Sequence, residues 1–176
     1  IIAPPSPLDS AQRLAGGPII PVDYVHVSPR ESVALVLGGK KIVLNYGRPS
    51  ARGRKIVGGL VPYNKVWRTG ANEATRFVTE ADLEVGGMVI PTGSYTLFTL
   101  PSRTQWKMII NKQTGQWGTE YDPRQDLGRM NIEIKQLRAP VEKLTFTLEQ
   151  RTNSTGLLKI EWEKTSLSIP ITLKSS

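Results

Sequence analysis

Met130-Asn131-Ile132-Glu133-Ile134-Lys135 alternates apolar and polar side chains with a period of two, the spacing of a strand that buries one face. The same period recurs in Leu144-Thr145-Phe146-Thr147-Leu148 and in Leu158-Lys159-Ile160-Glu161-Trp162, and Tyr95-Thr96-Leu97-Phe98-Thr99-Leu100 reads as a further half-buried strand. Working outward, short runs rich in Val, Ile, Thr, Tyr and Trp are separated by Gly and Pro. They predict strands over residues 32–37, 41–46, 74–79, 83–85, 88–90, 94–100, 105–111, 130–137, 143–150, 157–163 and 167–173. Gly38-Gly39 and Gly86-Gly87 mark tight hairpins. Pro170 marks an edge strand or a bulge, because proline has no N–H for a ladder. The expectation is an all-β, antiparallel β-sandwich of jelly-roll-like type, with a closed β-barrel as the runner-up.

At 176 residues the chain is long enough for one domain with a substantial core. No apolar run approaches the roughly 18 residues of a membrane-spanning helix. Cysteine is absent and His26 is the single histidine, which excludes thiol nucleophiles, thiolate metal sites and multi-histidine metal centres. Residues 1–30 hold six of the 13 prolines, so residues 1–27 read as a proline-rich arm and 28–176 as the β-sandwich domain. Within the arm, residues 8–15 suggest a short helix and 22–27 a strand able to pair with a sheet edge of its own domain or of a second copy. Ile1 in place of Met fits either removal of a leader or a cut made by hand; the first gives the expectation of an exported, periplasmic or extracellular protein.

The net charge of +8 is local. Of 23 basic residues, eight (Lys40, Lys41, Arg48, Arg52, Arg54, Lys55, Lys65 and Arg68) lie between Ser32 and Asn72 with no acidic residue among them. The other 15 balance all 15 acidic residues. Such a stretch attracts anions unless folding brings carboxylates to it. Gly47 to Lys55 superficially matches a phosphate loop, but the glycine spacing is one residue too long and no Ser or Thr follows the cation, which excludes nucleotide triphosphate binding of that kind.

Two polar clusters follow. Trp67-Arg68-Thr69-Gly70-Ala71-Asn72-Glu73-Ala74-Thr75 combines a guanidinium, an amide, a carboxylate and hydroxyls beside an indole. It suits either bidentate anion binding by Arg68, oriented by Asn72 and Glu73, or an internal network in which Arg68 and Glu73 satisfy each other and the loop backbone. In the second cluster Glu120, Asp122 and Asp126 do not match the spacing of a calcium loop, and Asp122-Pro123 reads as the start of a helical turn ending near Gly128. Trp117 with Tyr121, and Trp67 with Tyr63 and Tyr46, are aromatic groups beside polar loops, as carbohydrate-binding sandwiches often have. Glu73 and Glu120 form a glycosidase pair only if the fold brings them to the required separation.

Tyr46-Gly47-Arg48-Pro49-Ser50, Gly53-Arg54-Lys55-Ile56, Gly59-Leu60-Val61-Pro62-Tyr63, Val66 to Thr75, Pro91 to Thr99, Trp106 to Asn111 and Gln116-Trp117-Gly118 together resemble the bacterial family known as domain of unknown function 2911. The resemblance runs from about Ser28 to Leu173. It implies a β-rich domain usually carried on exported proteins, with no established reaction, and its shared polar motif falls here on Arg48, Arg54, Arg68, Asn72, Glu73, Thr75 and Trp117.

The expected ligand-binding set is therefore Tyr46, Arg48, Arg54, Lys55, Trp67, Arg68, Asn72, Glu73, Thr75 and Trp117, with no metal and no cofactor. The expected role is an exported, non-catalytic binding or assembly module, self-associating through residues 1–27 or binding an anionic polymer or surface. The alternative is a carbohydrate-binding or hydrolytic domain whose site lies between the Arg68–Thr75 segment and the Trp117 loop. Nucleic acid is not an expected partner, since the basic stretch lacks a recognised reading motif.

Overall fold

The period-two segments become strands because each has one side that gains by leaving water and turn residues at both ends. In the computed structural model, which describes residues 28–175, they are β1 (Arg30–Leu37), β2 (Lys40–Gly47), β3 (Arg76–Thr79), β4 (Leu83–Val85), β5 (Met88–Ile90), β6 (Gly93–Leu100), β7 (Trp106–Asn111), β8 (Asp126–Gln150) and β9 (Thr155–Leu173). The expected arm, with its helix over 8–15, strand over 22–27 and self-association, lies outside the described residues. One 3-10 turn, Pro123–Gln125, is the only helical element among them. Asp122 caps it as expected, accepting from Arg124 N, but it ends before Gly128 because Asp126 already belongs to β8.

The order is β1-β2-β3-β6-β7-β8-β9-β4-β5, with every pairing antiparallel. β1 and β5 are open edges, so the runner-up barrel is not formed. One long strand serves both layers: the first part of β8 pairs with β7 as far as Ile132, and from Glu133 onward its ladder is with β9. The layers meet where the Tyr46 ring of β2 stacks on Phe146 of β8, with centroids 4.0 Å apart. Leu37, Ile42 and Leu44 join Leu97, Ile110, Leu144, Leu158 and Ile169 in a single core.

Three expectations change. Segments 130–137 and 143–150 are one strand, as are 157–163 and 167–173. The backbone stays extended through Pro140, and the lost donor appears instead as a ladder gap between Gln136 and Val141, opposite which Glu163 takes a left-handed φ of 52°. Paired irregularities of this kind bend a ribbon without ending it. Pro170 is on neither an edge strand nor a bulge: the β8 ladder stops at Ser168 and the β4 ladder starts at Thr172, so it falls between them. Finally, β6 is buried on both faces, because the 111–126 loop covers its outer side. There Phe98 meets the Tyr121 ring edge-on at 4.8 Å, and Thr96 donates to the Gln113 carbonyl.

Candidate functional site

The segment between β2 and β3 runs over one end of the layers as a fixed turn. Trp67 and Thr99 exchange backbone hydrogen bonds, which clips its start to β6. Thr75, fully buried, donates its single hydroxyl proton in a shared bond to the carbonyls of Arg68 and Thr69, and the Thr69 hydroxyl lies 3.0 Å from that of Thr99. The chain turns through left-handed conformations at Thr69 (φ 56°) and Asn72 (φ 64°), the second being a residue type that tolerates them. Two glycines make room. A Cβ on Gly47 would stand 2.0 Å from the Ala71 carbonyl oxygen, and one on Gly118 2.3 Å from Arg68 Cδ. Gly118 N donates to the Asn72 carbonyl, so the Trp117 loop buttresses the turn from behind.

What the turn holds up is Arg68. Its Nε and Nη1 donate to the carbonyls of Gly70 and Asn72, both at 3.3 Å, and its Nη2 has no partner among the described residues. Among the described residues no carboxylate stands near it. Burial alone pulls this guanidinium below its ordinary value, with nothing opposing, although a guanidinium stays charged in any accessible pH range. The internal alternative holds in one half and not in the other: Arg68 does satisfy the loop backbone, at the Gly70 and Asn72 carbonyls, but it does not pair with Glu73. Arg30 takes that place, donating to the Glu73 and Ala74 carbonyls and to Asn45 Oδ1.

Arg68 lines a cleft of about 280 Å³ together with Arg54, Asn72, Trp67, Leu60 and Trp162. Arg54 is anchored like Arg68, through carbonyls: Nε donates to Ala51 and Nη2 to Ser50. Behind the cations Trp67 stacks on Trp162 at 6.0 Å, and the Trp162 indole N–H is spent on the Glu142 carbonyl. Two guanidinium groups and an amide on an aromatic and aliphatic wall can clasp a carboxylate or phosphate oxygen pair and shelter the carbon attached to it. Among the described residues the lining contains no carboxylate, lysine or imidazole to move a proton.

Of the ten residues expected at a site, Arg54, Trp67, Arg68 and Asn72 come together here. Thr75 shapes the turn from inside. Tyr46 is 2% exposed, with its hydroxyl accepting from Phe146 N, and so belongs to the core. Arg48 donates to the Leu144 carbonyl and Thr145 Oγ1 and lies 3.9 Å from Glu31, which uses it to join the layers. Lys55 is exposed outside the lining, and Trp117, 40% exposed, is also outside it. Glu73 lines a separate recess of about 200 Å³ with Arg30, Arg76 and Gln116, to which Glu120 does not contribute. The Gln116 Oε1 there is buried without a hydrogen-bond partner.

The motif residues and this geometry agree with the comparison to known families, in which the family described as protein of unknown function (DUF2911) matches residues 28–171. The chain belongs to DUF2911. No curated protein and no solved structure matches it. Within the DUF2911 region, sequence reasoning missed Trp162 and Leu60. Trp162 sits in an alternating strand and reads as pure core, and Leu60 is one apolar residue in a polar loop. Their place at the cleft is a tertiary fact.

Proposed function

We propose that this DUF2911 domain is an exported, non-catalytic binding module that holds a carboxylate-bearing ligand between Arg54 and Arg68. The carrying observation is the Arg68 guanidinium, half-buried, tied among the described residues only to carbonyls, and facing a cleft whose described lining has no acidic residue. A desolvated cation with unused donors costs free energy in the empty protein and gains it back when an anion docks. The Trp67 and Leu60 walls favour a carboxylate on a ring or a sugar over a bare inorganic ion. The described lining residues offer no proton-transfer group, which supports binding over hydrolysis. Export is supported by the family resemblance, and fractionation of the native cells checks it: the chain found with cytoplasmic markers removes that part.

The ligand reading is tested by titrating benzoate and galacturonate, with galactose as the neutral control, and following tryptophan fluorescence and calorimetric heat. Carboxylates are expected to bind and galactose not to. Arg68→Gln is expected to weaken the carboxylates by about 10- to 100-fold, as for loss of a charge-assisted hydrogen bond. Equal binding of galactose, or carboxylate binding indifferent to Arg68→Gln, would refute the reading.

A further inference from the structure

The loop that walls the Arg54–Arg68 cleft has a second cleft on its other side. Arg54, Leu60 and Val61 face the first, whereas Val57 and Tyr63 line a groove of about 430 Å³ closed by Arg103, Lys135 and Lys164. These three cations come from the β6–β7 turn, β8 and β9, segments far apart in the chain. Among the described residues no carboxylate lines this groove either, and none of the three cations makes an ion pair. The Arg103 guanidinium stands over the Tyr63 ring in a cation–π contact, its Cζ 4.7 Å from the centroid. Ile134, 41% exposed, adds an apolar strip to the rim.

Only a thin partition separates the two. Trp67 lines the first cleft and Trp106 the second, and the two rings meet edge-on with centroids 6.4 Å apart. Between them lies a small apolar space lined by Val57, both indoles and Trp162. Two cationic sites flanking one loop suit a ligand that repeats its negative charge along a chain. Polar lining with aromatic and aliphatic strips suits sugar rings better than nucleobases, because Trp67 already spends a face on Trp162 and Tyr63 one on Arg103.

We infer that the two clefts are subsites for one linear acidic polysaccharide, a uronate chain that crosses the Val57 loop with one carboxylate at Arg54 and Arg68 and another at Arg103, Lys135 and Lys164. This rests on the carboxylate reading of the first cleft and adds the polymer and the second subsite. Linking two weak sites through one ligand raises apparent affinity by roughly 100-fold or more when the span fits.

The test compares galacturonate, a long oligogalacturonate and single-stranded DNA on the full chain, with the variant Arg103→Gln/Lys135→Gln/Lys164→Gln. The oligomer is expected to bind at least about 100-fold more tightly than the monomer. The triple variant should return the oligomer almost to monomer affinity and flatten its salt dependence. Lys164→Gln alone, at an exposed position, should give an intermediate loss and guards against misfolding of the triple variant. The inference is overturned if oligomer and monomer bind alike, if the second-cleft variants leave the oligomer untouched, or if DNA binds as tightly as the oligomer. Monomer binding without any chain-length effect would remove only this extension. Failure of the monomer to depend on Arg68 would remove the carboxylate reading itself.

Discussion

Two loops of this domain carry arginines and treat them in opposite ways. In the 121–129 segment each cation meets an anion: Arg124 is 3.0 Å from Asp122, and Arg129 bonds Asp126 Oδ2 and the Tyr121 hydroxyl, which itself donates to Asp126. At the end of the 48–72 segment Arg54 and Arg68 are held by main-chain carbonyls instead. A carbonyl accepts a hydrogen bond without cancelling the charge. The first loop is therefore locally neutral, and the second keeps a directed positive field with its side chains already in place. A local excess of Lys and Arg turns into a binding feature only where backbone acceptors, rather than acids, do the anchoring.

The contrast can be broken most forcefully at Gly47→Ala, whose methyl would strike the Ala71 carbonyl and expel the turn that holds Arg68. A loss of about 3 kcal/mol is expected, with a fall of roughly 2–4 °C in Tm for each kcal/mol, together with loss of carboxylate binding. Thermal melts and titration of the same sample check it. Thr75→Val comes next. It keeps the shape but strips the Arg68 and Thr69 carbonyls of their donor, at about 1–3 kcal/mol, and should weaken ligand binding as the turn loosens. Tyr121→Phe, its counterpart in the neutral loop, should cost about 1 kcal/mol and leave binding alone.

Arg68→Gln sharpens the contrast further. Removing a desolvated cation that lacks an acidic partner should leave the melting temperature unchanged or raise it slightly while binding collapses. Arg129→Gln should do the reverse, a small loss of stability of at most about 1 kcal/mol with binding intact. The smallest effect concerns pH. Hydrogen bonds from Arg124 hold the Asp122 carboxyl below its usual range, so the stabilisation there is present above the ordinary aspartate value of about 3.9 and is lost as pH falls through the lower folded value. Carboxylate binding in the cleft, whose described lining residues include no histidine or carboxylate, should stay flat from about pH 5 to 9. Affinity that changes by more than a few-fold across that interval would place a titrating group at the site.

Much of the architecture was readable in advance because period two is a local property. Lys40–Gly47, Leu83–Val85, Met88–Ile90 and Gly93–Leu100 stand within one residue of their expected bounds. The breaks expected at Pro140 and around Lys164 were not strand ends, since whether an irregularity ends a strand or bends it depends on the strand beside it. Burial of Thr96 and Phe98 was equally hidden, because the loop covering them lies more than ten residues onward.

The local excess of cations from Ser32 to Asn72, the all-β pattern and the motif from Trp67 to Thr75 are properties of the amino-acid order alone, fixed by side-chain chemistry and short-range spacing. Which of those cations keep their charge unopposed was decided by the fold. Arg30 took the Glu73 region and left Arg68 to carbonyls, and β8 and β9 brought Lys135 and Lys164 beside Arg103. Charge compensation is set by distances in space, and those exist only once the two layers have closed.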